Sequence, residues 1–218
     1  MKYKAIVFDI DGTIVEPVSS WRYIHEKLGK WDALACRYQE MFLAGQLSYA
    51  EFCELDAGHW RGMKEENMRK IFNGVRFARN SRIVLKELKR MGFLLIALST
   101  GLQYIPERLR SELGFDVIVS NELISNSGII TGRVKIKITH GGKGKVLKKI
   151  LEKLKISPDE TISVGDSEGD IPIAKMTGYS IAFNSSSAKL SESVDYNCKT
   201  DDFREVLKCI KDIHIHPV

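Results

Sequence analysis

Runs of consecutive apolar residues, rather than alternating ones, recur along this 218-residue chain. Ile6 to Phe8, Phe93 to Leu98, Thr161 to Gly165 and Tyr179 to Phe183 are the clearest. Such runs predict strands buried on both faces, as in a parallel sheet. Between them apolar positions fall at helical spacing near Arg82 to Met91, Leu102 to Leu113 despite Pro106, Val146 to Leu154 and Asp201 to Ile210, with another helix between Val164 and Tyr179. Val117 to Ser120 reads as a further strand and Ile124 to Lys137 as a polar, hairpin-like segment. Alternation of β and α elements implies an α/β fold, a mainly parallel sheet sandwiched by helices.

The texture changes between about Pro17 and Asn80, where aromatics and charges recur at helical spacing and no strand-like run occurs. Helices are predicted at Ser20 to Leu28, Trp31 to Ala44, Tyr49 to Arg61 and Lys64 to Asn73, with Gly29, Gly45, Gly62 and Gly74 as stops. The expected organisation is a core of residues 1–16 and 77–218, with a small all-helical bundle of residues 17–76 inserted after the first strand. An insert there is expected to act as a lid that excludes water and strengthens charge interactions beneath it.

Composition narrows the classes. A hydrophobic fraction of 44% is ordinary for a globular protein with a real core. No stretch approaches the roughly 20 apolar residues of a membrane span, and the chain enters its first strand at once, so no membrane association and a cytoplasmic location are expected. Cys36, Cys53, Cys198 and Cys209 follow no metal or redox spacing and are expected to be buried, reduced thiols. His214 and His216 read as part of a tail. The net charge of +5 is concentrated between Arg133 and Lys155. Few aromatics interleave there, so the charges suit steering of phosphorylated metabolites better than nucleic-acid binding.

The chemistry sits at strand ends. Asp9-Ile10-Asp11-Gly12-Thr13 follows the first strand, at the mouth of the sheet where open α/β folds bind ligands. Two acids this close resist joint ionisation unless a hard cation neutralises them. The same pattern also fits a strand entering an Asx turn with both acids solvated. It is not an EF-hand, whose glycine stands sixth. Ser99-Thr100-Gly101 ends a second strand and can hold phosphate or merely cap the helix that follows. Asp166-Ser167-Glu168-Gly169-Asp170 ends a third. Lys143 opens a helical run, against the helix dipole, a conflict that an anion would remove and that surface solvation would also relieve. Gly141 to Lys145 is not a P-loop, since Val146 stands where Ser or Thr is required.

In that order, Asp9-Ile10-Asp11-Gly12-Thr13, Ser99, Lys143 and Gly165 to Asp170 resemble the four motifs of the haloacid dehalogenase-like (HAD) phosphatase superfamily. The layout is similar to its phosphoserine phosphatase group, which shares a helical insert (a C1-type cap) and a Lys-Gly-x-x-Leu run like Lys143 to Leu147. The resemblance implies a Rossmann-like core and hydrolysis of a small phosphomonoester. Asp9 would be the nucleophile that forms an aspartyl-phosphate, and Asp11 the acid and base, with its carbonyl on the metal. Ser99, the N–H of Thr100 and Lys143 would hold the phosphoryl group. Magnesium would lie among Asp9, Asp11, Asp166 and Asp170. Phosphoryl transfer asks for such parts, since it is mostly positioning and charge neutralisation.

Substrate recognition departs from that group. Glu16 lies in the loop where those enzymes bind the substrate amine, but not at the matching spacing, and Asp56 stands where they carry a carboxylate-binding arginine. Arg61 is five residues further on. Loss of a bidentate clamp argues against phosphoserine. Glu16, Asp56, Trp60 and Arg61 are the candidate substrate contacts, while Trp21, Trp31, Phe52 and Trp60 fit either a pocket wall or bundle core. Gly169 replaces an asparagine of the resembled enzymes, which bears on the fine tuning of the metal site. A phosphotransferase or phosphomutase using the same intermediate, and a non-enzymatic binding module, are the alternative functions. A monomer or homodimer is expected.

Overall fold

The computed structural model describes residues 2–31 and 33–215. Its frame is a seven-stranded sheet of order β4-β3-β2-β1-β5-β6-β7, formed by β1 (Ala5–Phe8), β2 (Leu94–Leu102), β3 (Val117–Asn126), β4 (Ile129–Lys135), β5 (Thr161–Gly165), β6 (Tyr179–Phe183) and β7 (Tyr196–Cys198). All neighbours pair parallel except β3 and β4. β1 is the central strand, fully buried and flanked by β2 and β5 with Phe8 level with Ala97 and Val164.

Alternation along β1 assigns its two faces. Ile6 and Phe8 pack with α5 (Ser81–Arg90), α6 (Tyr104–Leu113) and α10 (Arg204–Ile215), through Leu85, Leu109 and Val206 among others. Ala5 and Val7 pack with Leu147 and Leu151 of α7 (Lys143–Leu154) and with Ile173 of α8 (Ile171–Ala174). Both faces are therefore dry, which is why the strand reads as a continuous apolar run.

The insert contains α1 (Ser20–Lys27), α2 (Ala33–Leu43), α3 (Tyr49–Gly58) and α4 (Glu65–Asn73). Ser19 caps α1 by accepting from Arg22 N, and Ser48 with Glu51 forms a capping box on α3. Gly29, Gly45 and Gly62 have the left-handed backbone expected of helix stops, whereas Gly74 stays right-handed and ends α4 with backbone bonds alone. The turn between α3 and α4 is stitched to the β3–β4 hairpin: Gly62 N donates to Ile130 O, Ile130 N to Met63 O and Glu65 N to Gly128 O. Part of the free edge of β4 is thus paired with the insert.

Several boundaries differ from expectation for local reasons. β2 continues through Ser99 to Leu102, with a register shift against β3 after Leu98, so α6 starts at Tyr104 rather than Leu102. Pro106 lies in the first turn of α6, where a missing N–H is harmless. α7 starts at Lys143, three residues ahead of its apolar stripe. α9 (Ala188–Ser191) and β7 are too short to carry a periodic signal. Cys53, Cys198 and Cys209 are buried and free as expected, but Cys36 is only partly buried, its thiol directed at Glu40 on the outer face of α2. His216 lies outside the described residues, as does the side chain of His214.

Phe203 is fully buried between Phe8 and Phe183, at ring-centroid distances of 6.1 and 4.9 Å. Phe203→Ala is expected to lower the unfolding free energy by about 3–5 kcal/mol in a urea titration.

Candidate active site

Three neighbouring parallel strands, β2, β1 and β5, deliver their C-terminal ends to one place. Asp9 leaves β1 with its N–H donating to Val164 O on β5. Asp166 and Asp170 follow β5. One carboxylate oxygen from each of Asp9, Asp166 and Asp170 lies within 4.8 Å of the others.

Lys143, the first residue of α7, is buried among them. Its Nζ donates to Asp9 Oδ1 and to Asp170 Oδ1, each at 2.6 Å. The second Asp170 oxygen accepts from the N–H groups of Asp166 and Ser167 at 3.1 and 3.2 Å, so Asp170 ties the loop to the lysine. The conflict between Lys143 and its helix dipole is met by carboxylates, a partner that lysine's place in the sequence left open.

Close approach here depends on missing side chains. A Cβ on Gly12, whose φ is +78°, would lie 2.3 Å from Asp166 Oδ2. One on Gly165 would lie 2.4 Å from Asp170 Cγ, and one on Gly101 2.4 Å from Ser20 Oγ. Thr13 donates from Oγ1 to Asp166 Oδ1 at 3.3 Å.

Asp11 points to the insert. Its Oδ2 accepts from both N and Oγ of Ser20 on α1, at 2.9 and 2.7 Å. Ser99 Oγ accepts from Gly101 N at 2.8 Å, which leaves the hydroxyl proton free to donate elsewhere. The Thr100 carbonyl accepts from Trp21 Nε1, Tyr49 OH and Asn121 Nδ2, at 3.1, 3.2 and 3.0 Å. Ser20, Tyr49 and Asn121 thus belong to the site, yet only their tertiary contacts reveal it.

The charges are strained by burial. Desolvation, then Asp170, raise the Asp9 carboxyl well above its ordinary range, against the pull of Lys143. Asp11 is raised by burial, opposed by the Ser20 hydrogen bonds. Burial and then Asp170 raise Asp166 as well. Burial works to lower Lys143, but Asp170 and Asp9 outweigh it and the ammonium is held. One ammonium among four acids leaves excess negative charge that a hard divalent cation fits, with carboxylate oxygens as ligands. Among the described residues, Asp9, Asp166 and Asp170 form the cluster that could hold it.

A cavity of about 550 Å³ opens over these groups, lined by Asp9, Asp11, Ser99, Thr100 and Lys143 from the core and by Asp56 from the insert. Trp21, Trp31 and Phe52 also line it. The other three insert and loop candidates are placed elsewhere. Glu16 pairs with Arg76 at 2.7 Å beside a different hollow. Trp60 is fully buried, against Trp21 and His25, in bundle core. Arg61 packs beside Gly132 of the hairpin, whose lack of a side chain admits it.

The model of the haloacid dehalogenase-like hydrolases matches residues 6–175. The chain belongs to that family. A phosphoserine phosphatase of Methanocaldococcus jannaschii is 27% identical over 216 residues, covering 96% of this chain and 99% of that one. Another, of Archaeoglobus fulgidus, is 29% identical over 182 residues, and the match spans 83% of this chain but only 52% of that protein. Among solved structures, a substrate-bound phosphoserine phosphatase complex superposes with a TM-score of 0.82 at 26% identity, over 96% of this chain and 99% of that one. A phospho-aspartyl intermediate analogue of phosphoserine phosphatase gives 0.82 at 27% identity with the same coverage.

Gly12→Ala is expected to displace Asp166 and weaken divalent-cation affinity by about tenfold or more. Calorimetric titration with magnesium measures it, and undiminished affinity would separate Asp166 from the metal.

Proposed function

We propose that the protein is a magnesium-dependent phosphomonoester hydrolase that acts on a small phosphorylated metabolite through an aspartyl-phosphate at Asp9. The observation that carries this reading is the buried cluster in which Lys143 joins Asp9 to Asp170 beside Asp166, at the floor of the cavity. The match to a phospho-aspartyl analogue structure supports the covalent route.

In this reading Asp9 attacks phosphorus, so that an Asp9 oxygen–phosphorus bond forms as the ester oxygen leaves. Asp11 supplies the proton to that oxygen. It then takes a proton from water, whose oxygen attacks the aspartyl-phosphate, frees inorganic phosphate and regenerates Asp9. Ser99 Oγ and Lys143 Nζ hold phosphoryl oxygens, with the N–H of Thr100 as a further donor. A magnesium ion held by Asp9, Asp166 and Asp170, with the Asp11 carbonyl, would neutralise charge on the phosphoryl group. Its presence would also favour ionised Asp9 and Asp166 against their burial.

Residues 17–76 serve as the cap. Through Ser20 the cap orients Asp11, and through Trp21 and Tyr49 it reaches the Thr100 carbonyl. A cavity of this size suits a small ligand. Among the described residues no helix is long and apolar enough to cross a membrane, and the free thiols of Cys53, Cys198 and Cys209 support a cytoplasmic setting.

Asp9→Asn is expected to reduce magnesium-dependent phosphate release from para-nitrophenyl phosphate by roughly three orders of magnitude or more. Full activity in that variant would remove Asp9 as nucleophile. Ser20→Ala leaves one backbone donor on Asp11 and is expected to lower kcat about tenfold with little change in KM; steady-state kinetics on the same ester separates the two constants.

A further inference from the structure

The insert wall of the cavity carries an acid that the phosphoryl chemistry leaves unused. Asp56, on α3, lines the same cavity as Asp9 although only 2% exposed. Its Oδ1 lies 2.7 Å from Nε2 of His25 on α1, itself fully buried. A carboxylate only accepts, so Nε2 donates. The other ring nitrogen, Nδ1, is buried and has no hydrogen-bond partner among the described residues. The ring packs against Trp60 at 4.8 Å and His59 at 5.4 Å. His25 therefore fixes the orientation of Asp56 from the bundle side, and the carboxylate lines the cavity with acceptor oxygens that suit a charged hydrogen-bond donor.

The surrounding wall suits one. Trp21, Phe52, Phe42 and Tyr49 form a continuous aromatic lining, with centroid separations of 6.3, 5.1 and 5.6 Å along that order. Ring faces attract cations. Of the basic groups on the cavity, Lys143 lies between Asp9 and Asp170, Arg22 is paired with Glu26 at 2.7 Å and stacked over Trp31, and His140 stands edge-on to Phe42. A substrate carboxylate would enter beside Asp56, whereas an ammonium would find a carboxylate and aromatic faces together.

We propose that Asp56 is a specificity-determining residue that receives a substrate ammonium group, so that the preferred substrates are phosphomonoesters of amino alcohols, primary or quaternary, that lack a carboxylate. The assignment rests on the phosphatase reading above.

Matched pairs of esters test it, with phosphocholine against its carbon isostere neohexyl phosphate, phosphoethanolamine against propyl phosphate, and O-phosphoserine alongside. In the wild-type protein with magnesium, kcat/KM is expected to favour the charged member of at least one pair by about tenfold or more, and to exceed that for O-phosphoserine. Asp56→Asn is expected to bring the charged-to-neutral ratio towards one, and Asp56→Glu to retain a preference for charge, with thermal melting establishing that each variant folds. Equal turnover of charged and neutral partners by the wild-type protein, or a ratio unchanged in Asp56→Asn, overturns the assignment. Metal-dependent hydrolysis of para-nitrophenyl phosphate in the same preparation would then leave the phosphatase reading standing. Absence of hydrolysis of every ester overturns both.

Discussion

The ion triad of Lys143 with Asp9 and Asp170 is the constraint on which the rest of the site depends. Lys143 is 134 residues from Asp9 and 27 from Asp170 in sequence, yet its ammonium is within hydrogen-bond distance of both. Removing Lys143 would leave two buried acids without their cation, a change that costs about 3–5 kcal/mol in comparable buried pairs. The triad therefore holds the start of α7, the end of β1 and the loop after β5 in one arrangement. It also brings Asp9, Asp166 and Asp170 close enough together that their carboxylates could share a divalent cation.

Convergence of so many polar groups needs space, and glycine supplies it at the points of closest approach. Gly12, Gly165 and Gly101 each stand where a Cβ would meet a neighbouring carboxylate or hydroxyl at under 2.5 Å. Backbone and carboxylate come together there without an intervening side chain, so charge is concentrated at the strand ends rather than diluted by bulk. Polar contacts are correspondingly complete: Asp170, Asp11 and Asp166 each accept from named donors rather than from empty space.

The helical insert is more than a cover. Ser20 on its first helix holds Asp11, and Trp21 and Tyr49 hold the Thr100 carbonyl, so the geometry of the strand ends and the seating of the insert are one mechanical problem. Its far side is fastened to the β3–β4 hairpin by backbone hydrogen bonds. An insert anchored at both ends brings its aromatic residues and Asp56, held by His25, to the cavity wall opposite the strand ends. The cavity wall is thereby formed by residues whose seating also affects Asp11 and the Thr100 carbonyl.

Much of the core was legible in the chain alone. Apolar runs ending in Asp9, Ser99 and Asp166 marked the strands and the edge where chemistry collects, because burial on both faces writes itself into local sequence and strand ends follow directly. The order of those ends, with Lys143 between them, identified the family. Tertiary packing alone decided what each side chain meets: that Lys143 bridges two acids, that Ser20 holds Asp11, that Asp56 faces the cavity while Trp60 and Arg61 do not. These pairings are set by how helices of the insert rotate and dock onto the sheet, and helical periodicity specifies which face is apolar without specifying which partner that face will find.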